Sequence, residues 1–522
     1  MNSDFLQAAK AHQKKQEYKK AVTCFQSYMK EHTAPYEEKF YKDYAKCLRL
    51  IGETRHAEAI LQEGREEHPE SVVVLKESSA LYEVMGDWNK AKTCSEKLIQ
   101  LEPETPAHHI RLGGIYAQLK ETQEAENAYQ DALTYQHGMD MEELMSLVQQ
   151  RIAEQPASIQ THYVHMGGMN NLGAFIHETE QGKYMTKIAV NKGANKREAF
   201  FYEEIVKTFP VLQDIVPTCL DSFVQDNILY ITMEWKAGKF AGLEQFPEVL
   251  EMHEKLASIP YNDIVDLFHL PSYKFQFNLR NPNIVTQFFT QIHKENVNRQ
   301  LFKSLRTLVE QKETPATVDF LITRLESFVL DNQLYLLVEP ERHYTLLHGE
   351  YKPGTIIIEE GTAKGYVIDW STFTIGPPCV EIARYLSAEL PSYSKIQEIY
   401  LHHEKRMDQL TFVERIFFLY AMVVFYILRF IKSKNTATRE KITQFITEVL
   451  NELEKLIELH RPFLEDRYRL IQLQQELSTS EQEIRTLKKK NKQLKKQLTQ
   501  TYNSKSWKAT APLRKVAERW RK

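Results

Sequence analysis

A 34-residue period near the start of the chain constrains its fold more than any other feature of the sequence. Small residues, an aromatic residue and a closing proline recur at fixed places within each period. A repeat of this length forms a helix pair that buries its apolar face only against its neighbours, so the segment is predicted to form a stacked array. The recurring residues are Gly52 and Gly86, then Ala57, Ala91 and Ala125, then Pro69 and Pro103, and finally Tyr82 and Tyr116.

This pattern resembles the tetratricopeptide repeat, and the resemblance implies an all-α solenoid over residues 1–140. Three repeats are clear over residues 38–139, and Tyr18, Ala21 and Phe25 indicate an earlier repeat that is two residues out of register. Such arrays bind a peptide or protein partner in a concave groove, or they act as spacers or dimerisation surfaces. The periodic residues are packing residues, so the sequence leaves both alternatives open.

Residues 347–370, LHGEYKPGTIIIEEGTAKGYVIDW, have the pattern of a loop followed by a β-hairpin. Two apolar runs, 356–358 and 366–368, are predicted strands separated by a glycine-containing turn. This arrangement places the carboxylates of Glu350 and Asp369 at neighbouring ends of the hairpin. Phosphoryl transfer needs two such acids, because one orients the attacking hydroxyl while the other holds the magnesium ion that bridges the phosphates.

The loop and hairpin resemble the catalytic and metal-binding loops of the aminoglycoside phosphotransferase and choline kinase-like family, relatives of the protein kinases. The family pattern is H-G-D-x-x-P-x-N followed by a strand that ends in D-W, and the chain departs from it at three positions. Glu350 stands in place of the Asp base, Thr355 in place of the metal-ligating Asn, and Glu381 in place of an Asp in the next segment. The matching residues are His348, Gly349, Pro353, Asp369 and Trp370.

The resemblance implies an α+β, two-lobed kinase-like domain over residues 162–462, preceded by a linker at 141–161. In its small lobe, Gly167 and Gly168 would let backbone amides approach the nucleotide phosphates. Lys187 would lie across from these glycines on the strand that follows them. These landmarks precede the hairpin in the chain, as a small lobe precedes a larger one in this family.

Two further assignments in the small lobe come from the resemblance. The family holds the strand lysine with a glutamate of the following helix, because an unpaired ammonium would swing away from the phosphates. Glu198 is the predicted partner and Glu203 the second choice. Glu234 follows a predicted strand where the family meets the nucleotide base, and side chains there do not separate ATP from GTP. Residues 239–345 are mainly helical by pattern, with a short strand or buried segment at 334–338, and contain no motif that identifies an acceptor.

The composition limits the partners and the cellular location. With 522 residues, 42% of them hydrophobic, the chain is sufficient for several domains, and its net charge of −3 argues against a nucleic-acid-binding protein. Five cysteines lie far apart and form no CxxC pair, which favours a reducing cytoplasm and argues against a zinc site or a disulfide framework. The polar N-terminal sequence shows no secretion signal. The 13 uncharged residues at 416–428 are too few to span a bilayer, which predicts a buried helix.

Residues 465–502 show a heptad pattern of about four repeats, which predicts a coiled coil. Asn491 occupies an a position, where a buried amide pair favours a parallel homodimer in register. The flanking charges are mixed, so a partner with an acidic helix stays open. The seam consists of Leu470, Leu473, Leu477, Ile484, Leu487, Asn491, Leu494 and Leu498.

Residues 503–522 form a basic tail in which aromatic side chains interleave with lysines and arginines. Their pattern resembles the S-x-S-W-x-x-T-x-P-L-R tail that closes many bacterial surface-polysaccharide glycosyltransferases and methyltransferases. Trp507, Leu513 and Trp520 would suit the interface of an anionic membrane. The alternative is a disordered basic tail. The resemblance favours a sugar acceptor in a bacterial cell-surface pathway.

Two functions from different classes are consistent with the sequence. The first is a cytoplasmic, Mg-dependent phosphotransferase that moves the γ-phosphoryl group of ATP or GTP to a hydroxyl group of a small molecule or glycan. Glu350 and His348 are its predicted catalytic residues, and Asp369 and Thr355 its predicted metal ligands. The second is a catalytically impaired pseudokinase in which the repeats and the coiled coil assemble other enzymes. For either function the predicted location is the cytoplasm, with the basic tail placing the protein peripherally at the inner face of the membrane.

Overall fold

The computed structural model describes residues 4–152, 159–165, 171–180, 182–269, 286–311, 316–362, 364–389, 391–401, 411–433 and 435–521. The chain forms two compact units. The first comprises Met1–Ile259, Ile264–Phe275 and His348–Thr374, and the second comprises Pro260–Asp263, Gln276–Leu347 and Ile375–Lys522.

The first unit opens with a series of paired helices. The first helices of three consecutive pairs begin at Glu38, Val72 and Pro106, so the structural period is 34 residues, as the sequence predicts. An additional pair precedes them, in agreement with the weaker repeat. The predicted all-α solenoid is confirmed. The helices are α1 (Asp4–Lys14), α2 (Tyr18–Glu31), α3 (Glu38–Leu50), α4 (Thr54–Glu67), α5 (Val72–Met85), α6 (Trp88–Leu101), α7 (Pro106–Leu119), α8 (Thr122–His137) and α9 (Met141–Ile152).

The backbone between the paired helices explains two of the recurring glycines. Gly52 and Gly86 have φ angles of +91° and +74°, in the left-handed region that glycine adopts without steric cost. Lys120 takes the equivalent place in the next repeat with a φ of +64°. Inside the array, a Cβ atom at Gly113 would lie 2.7 Å from the ring of Tyr129, so only glycine allows these helices to approach so closely.

An antiparallel sheet follows the repeats in the first unit. Its strands are β1 (Gln160–Val164), β2 (Asn171–Thr179), β3 (Gly182–Val190), β4 (Cys219–Gln225) and β5 (Ile228–Glu234), in the spatial order β1-β2-β3-β5-β4. Lys187 of β3 lies opposite Ala174 of β2 and Ile231 of β5. Because side chains alternate along a strand, Lys187 projects from one face of the sheet, and Thr186 and Ile188 project from the other.

The last helices of the repeat array cover that second face of the sheet. Leu133 of α8 and Leu144 and Val148 of α9 are buried in one hydrophobic cluster with residues of the strands. Arg151 adds an ion pair, with its Nε 2.6 Å from a carboxylate oxygen of Asp221. The predicted linker therefore contains a packed helix and the first residues of β1, and the repeats share a core with the sheet. The strand residues of this cluster are Leu172, Phe175, Ile188, Val190, Ile228 and Tyr230.

The remaining elements of the first unit follow the sheet and form the predicted hairpin. A π-helical turn, Phe201–Ile205, continues the helix α10 (Gly193–Phe200) and leads into α11 (Val206–Thr208). The later elements are β6 (Lys239–Phe240), α12 (Phe246–Ala257), β8 (Ile356–Ile358) and β9 (Gly365–Val367). The hairpin is confirmed, with its strands β8 and β9 in a three-stranded sheet of order β6-β8-β9.

The second unit is mainly helical, and its longest apolar helix is buried. Residues 416–428 belong to α20 (Phe412–Lys432) and are all buried, which confirms the predicted buried helix. Among the described residues, no helix is both long and apolar enough to cross a membrane. The segment at 334–338 contains a buried 3-10 turn, Leu334–Leu337, rather than a strand. Two elements, α13 (Tyr261–Ile264) and β10 (Thr374–Gly376), lie where the chain passes from one unit to the other. The other elements of the second unit are α14 (Thr286–Phe289), α15 (Glu295–Gln311), α16 (Ala316–Asp331), α17 (Pro340–His343), β7 (Thr345–Leu347), α18 (Cys379–Glu389), α19 (Tyr393–Ile396) and α21 (Thr436–Leu459).

A single helix of 43 residues, α22 (Arg461–Asn503), precedes the basic tail in the second unit. Near its start, Arg467 pairs with Glu339 and the Tyr468 hydroxyl donates to the carbonyl oxygen of Asn332. The leucine and isoleucine residues of the heptad seam are exposed along the rest of the helix. The tail folds into two more helices, α23 (Lys505–Ala509) and α24 (Ala511–Trp520), so the alternative of a disordered tail is wrong. The coiled coil with a second chain stays a prediction.

Candidate functional site

A cavity of about 670 Å³ in the first unit is lined by residues of the antiparallel sheet, of α10 and of the hairpin. A volume of this size suits a ligand as large as a nucleotide. The cavity brings together four of the predicted site residues, Lys187, Glu198, Glu234 and Asp369. The apolar side chains that line it include Met185, Pro217, Met233, Phe240, Ile357 and Ile368.

Lys187 and Glu198 form a buried ion pair at this cavity. The Nζ atom of Lys187 lies 2.6 Å from Oε2 of Glu198, and their side chains are 14% and 2% exposed. Burial acts to lower the pKa of Lys187, but the carboxylates of Glu198 and Asp369 outweigh it and raise that pKa above its ordinary value. Lys187 is therefore a fixed cation. Glu203, the second choice for this pairing, is exposed on the π-helical turn. Glu198 is therefore the partner of Lys187.

Asp369 directs a second carboxylate at the same lysine. Its Oδ1 atom is 3.7 Å from Nζ of Lys187, and its side chain is 46% exposed. Burial acts to raise the pKa of this carboxyl group, yet Lys187 and the other neighbours hold the pKa below its ordinary value. The hydroxyl of Ser371 donates a hydrogen bond of 3.0 Å to Oδ1. With a φ of +64°, Asp369 occupies the left-handed region, which aspartate tolerates better than most residues.

Aromatic packing behind the carboxylate joins α10 and its π-helical turn to the hairpin segment. The rings of Phe201 and Trp370 stack with centroids 3.9 Å apart and planes 7° apart. The adjacent Phe200 stacks on Phe373, with centroids 6.3 Å apart. Because Glu198 lies on the same helix, this packing sets the position of the glutamate relative to Asp369.

His348 lies at the base of the loop and is completely buried. Its Nε2 is 2.9 Å from the carbonyl oxygen of Ile368, and its Nδ1 accepts a hydrogen bond of 3.2 Å from the amide of Glu350. A carbonyl oxygen only accepts, so these contacts fit a neutral ring protonated at Nε2. Burial lowers the pKa of His348, which also favours the neutral ring. The imidazole thus ties the loop at Glu350 to the residue that precedes Asp369.

The loop carries a cation that sequence reasoning missed. Lys352 places its Nζ 2.8 Å from Oε2 of Glu350, so the proposed base and this ammonium form an ion pair. The only signal in the sequence is the position of the lysine two residues after Glu350. Gly349, with a φ of +88°, sits where a Cβ atom would lie 2.0 Å from the carbonyl oxygen of Thr372, so this position of the motif requires glycine.

Thr355 is held within the loop by backbone groups. Its hydroxyl lies 3.0 Å and 2.9 Å from the carbonyl oxygens of Glu350 and Lys352. It also accepts a hydrogen bond of 3.3 Å from the amide of Lys352. The side chain is buried, and these contacts close the turn that follows Glu350. Thr355 therefore shapes the loop, and a role as metal ligand stays a prediction.

Glu234 pairs with Lys236 in another part of the cavity wall. Oε2 of the glutamate is 2.7 Å from Nζ of the lysine, whose side chain is only 12% exposed. Sequence reasoning named Glu234 here but missed Lys236. The predicted phosphate-binding residues Gly167 and Gly168 lie outside the residues that the structure describes. In the described part of the chain, no group of three or more His, Cys, Asp or Glu residues could hold a metal ion by itself.

Residues 276–408 match the sequence model of the Phosphotransferase enzyme family. The matched residues, the phosphotransferase segment, include His348, Glu350 and Asp369, whereas Lys187 and Glu198 precede them in the chain. No curated protein matches the sequence.

Several solved structures resemble parts of the chain. The chain is similar to aminoglycoside phosphotransferase APH(4)-Ia, with 15% identity, a TM-score of 0.39, and coverage of 59% of this chain and 97% of that chain. It is also similar to a tetratricopeptide repeat protein from Parabacteroides merdae, with 17% identity, a TM-score of 0.25 and coverage of 27% of this chain. The present chain spans 55% of the length of that repeat protein. A third match is MamA, with 18% identity, a TM-score of 0.25, and coverage of 26% of this chain and 79% of that chain.

Proposed function

We propose that the chain is a Mg-dependent phosphotransferase that moves the γ-phosphoryl group of ATP or GTP to a hydroxyl group of a small molecule or glycan. The observation that supports this function is the cluster of Lys187, Glu198 and Asp369 at a cavity of nucleotide size. A cation held by one carboxylate and facing a second one can bind phosphate oxygens while the second carboxylate binds a metal ion. The family of residues 276–408 supports the same type of reaction.

Each charged residue has a separate role in this proposal. Lys187 binds phosphate oxygens, and Glu198 keeps the ammonium in place through their contact of 2.6 Å. Glu350 accepts the proton of the attacking hydroxyl, and Lys352 fixes the direction of its carboxylate. His348 positions Glu350 by accepting a hydrogen bond from its amide. This histidine is completely buried, so it acts through Glu350 rather than on the reactants.

The residues at the cavity fit a magnesium ion. Magnesium prefers oxygen ligands, and Asp369 offers an ionised, partly exposed carboxylate. Thr355 would join it only if its hydroxyl gave up contacts with the loop backbone. When bound, the ion supplies positive charge that neutralises the phosphate oxygens during transfer.

The geometry of the loop also favours a second candidate, a catalytically impaired pseudokinase that acts as a scaffold. Glu350 carries one methylene more than the usual aspartate, and a displacement of about 1 Å in a reacting group can cost about a hundredfold in rate. Thr355, in place of the usual asparagine, has its hydroxyl engaged by the backbone. In this function the repeats and the long helix would assemble other enzymes.

A transfer assay separates the two functions. The full chain would be incubated with Mg²⁺, γ-labelled ATP or GTP, and sugar, antibiotic and choline-type acceptors. We expect label on an acceptor and a loss of at least about a hundredfold in rate for Asp369→Asn. Glu251→Gln, at a carboxylate that is 73% exposed, is the matched control and should keep the activity. Transfer that survives in Asp369→Asn would contradict the proposed mechanism, and nucleotide binding without transfer would favour the scaffold.

The terminal segments support a proposal for where the enzyme works. We infer that α22 forms a parallel homodimer, because its seam of leucine residues is exposed. We also infer that α24 binds an anionic membrane from the cytoplasmic side. Leu513, Val516 and Trp520 lie on one exposed face of that helix. The guanidinium group of Arg514 packs over the ring of Trp507, with its central carbon 3.7 Å from the ring centroid.

This location would suit a sugar acceptor of a bacterial surface-polysaccharide pathway, with the repeats binding a protein partner. Deleting residues 503–522 should release the protein from vesicles that contain anionic lipid. Unchanged sedimentation with those vesicles would contradict the membrane role. Neutral vesicles are the control, because they lack the charge that attracts the tail.

A further inference from the structure

The first helices of consecutive repeats lie side by side and form one layer. The side-chain amide of Gln13 in α1 donates a hydrogen bond of 3.0 Å to the backbone carbonyl oxygen of Asp43 in α3. One repeat further along, Nε of Arg49 in α3 lies 2.7 Å from Oε1 of Glu77 in α5. Gln13 and Arg49 therefore occupy equivalent places, and the layer runs from α1 through α3 to α5.

The outer side of α3 in this layer is basic. Lys39, Lys42, Lys46 and Arg49 follow one another at steps of three, four and three residues, so they share one side of the helix. Lys39 and Lys46 are exposed, and the two turns between them correspond to about 10 Å along the helix. The rest of the helix surface is buried and carries Phe40, Tyr41, Tyr44, Ala45, Cys47 and Leu48.

Two of these four cations already pair with carboxylates of the protein. Nζ of Lys42 lies 2.7 Å from Oδ1 of Asp43, and the arginine pairs with α5 as described above. In the described part of the chain, the ammonium groups of Lys39 and Lys46 have no ion-pair partner. These two lysines can therefore attract an anionic group from another molecule.

The equivalence of the repeats adds a third lysine to this face. Lys10 precedes Gln13 by three residues, just as Lys46 precedes Arg49 by three residues. Lys10 is also exposed. Because neighbouring helices pack about 8–10 Å apart, Lys10 and Lys46 present their charges at a similar spacing to that along α3.

The neighbouring helix continues the face with small apolar side chains. Val73 and Ala80 of α5 stand 34 residues after Lys39 and Lys46, and Val84 near the end of α5 is 59% exposed. Valine and alanine are shorter than lysine, so they do not reach the hydrocarbon beneath a headgroup layer that the lysines contact. The side chains of a peptide can come down to them. The combination favours a protein segment over a lipid surface.

We propose that this face of α1, α3 and α5 binds an acidic segment of a partner protein. The inference rests on the proposed role of the repeats in binding a protein partner. An extended segment rises about 3.3 Å per residue, so carboxylates three residues apart match the spacing of Lys39 and Lys46. Each exposed ion pair is weak, so the affinity depends on several pairs that form together.

Binding of a synthetic peptide to the full chain tests this inference. A fluorescein-labelled peptide of Glu-Val-Ser repeats would be titrated by fluorescence anisotropy, with a peptide of Gln-Val-Ser repeats as the neutral analogue. We expect the Glu peptide to bind more tightly than the Gln peptide, because only its carboxylates complement the lysines. Its affinity should fall as the NaCl concentration rises, since salt screens exposed charges.

Substitutions assign this binding to the face. The double variant Lys39→Gln/Lys46→Gln should bind the Glu peptide about fivefold or more weakly, because it removes two of the interacting charges. Lys19→Gln/Lys30→Gln removes the same charge from exposed positions of α2, the second helix of its pair, and is the matched control. The basic tail is unchanged in both variants, so its attraction for the peptide cancels in the comparison. Circular dichroism would check that each variant is folded.

The possible outcomes separate this inference from the phosphotransferase proposal. Equal affinity for the Glu and Gln peptides would overturn it, as would unchanged affinity in the Lys39→Gln/Lys46→Gln variant. An equal loss in the control variant would also overturn it, because net charge rather than this face would then attract the peptide. If the Lys39→Gln/Lys46→Gln variant instead loses binding to anionic vesicles and keeps its affinity for the peptide, the face binds lipid and the inference is wrong. None of these results bears on the transfer assay, which contains no peptide.

Discussion

Acidification should loosen the sheet of the first unit through one buried histidine, His177. The imidazole is completely buried and lies 2.8 Å from the hydroxyl of Thr161 on one side and 2.8 Å from the hydroxyl of Thr186 on the other. The Thr186 hydroxyl also lies 2.8 Å from the hydroxyl of Thr232, and the side-chain amide of Gln149 in α9 donates a hydrogen bond to the hydroxyl of Thr161. A chain of polar contacts therefore crosses the sheet from the repeat side and passes through this ring.

The sign and size of the effect follow from the pKa of His177. Burial lowers that pKa from its ordinary 6.5 to about 4, with His162 adding to the shift. The folded protein thus disfavours the protonated ring, and the unfolded chain takes up the proton first as the pH falls. The stabilisation is complete above about pH 6.5 and declines toward pH 4. At about 1.4 kcal/mol for each pH unit, the loss amounts to about 3 kcal/mol.

Urea unfolding at pH 7.0, 5.5 and 4.5 measures this loss, with hydrogen exchange of β2 and β3 reporting on the sheet itself. His177→Gln keeps a donor and an acceptor and does not titrate. Between pH 7.0 and pH 4.5, its free energy of unfolding should therefore fall by about 2.5 kcal/mol less than that of the unmodified chain. His162→Gln, at an exposed neighbour of Thr161 on β1, is the matched control and should change the pH profile far less than His177→Gln, because burial is the main cause of the shift. Parallel pH profiles for the unmodified chain and His177→Gln would refute this reasoning.

Three further predictions concern the array, the site and the long helix. Gly113→Ala, whose Cβ would lie 2.7 Å from the Tyr129 ring, should cost about 1–3 kcal/mol in urea unfolding, whereas Gly354→Ala, with open space around its Cβ, should be nearly neutral. Phe201→Leu should weaken Mg-dependent nucleotide binding in calorimetry and lower the melting temperature, because it removes the stacking against Trp370; unchanged affinity would contradict that role. Leu487→Lys, at a side chain that is 64% exposed, should leave the melting temperature unchanged and convert a dimer to a monomer in light scattering, and a persistent dimer would argue against the seam.

Local patterns account for the parts of the fold that could be predicted. The 34-residue period fixes the helix pairs because each pair packs on its neighbours, and Gly52 and Gly86 mark turns that require a positive φ. Two short apolar runs predict the strands of the hairpin, and the uncharged run at 416–428 predicts a buried helix. All of these features depend on residues that are close in sequence.

The contacts between distant segments could not be read in this way. The sequence offered two glutamates for Lys187, and only the packing of Phe201 against Trp370 shows why Glu198 faces the lysine. The inward contacts of the Thr355 hydroxyl depend on how the loop closes on itself. The pairing of Lys236 with Glu234 depends on how the chain turns after β5.

The sequence by itself determined which segments are helices and strands and which residues of the loop and hairpin carry charge, because periodicity and turn chemistry act within a few residues. Only the tertiary structure decided that α8 and α9 share a core with the sheet, and that Lys187 faces the cavity while the opposite face is covered. These are contacts between segments far apart in the chain. They form because apolar surface of each element must be buried against another, and a single strand or helix pattern does not specify which one.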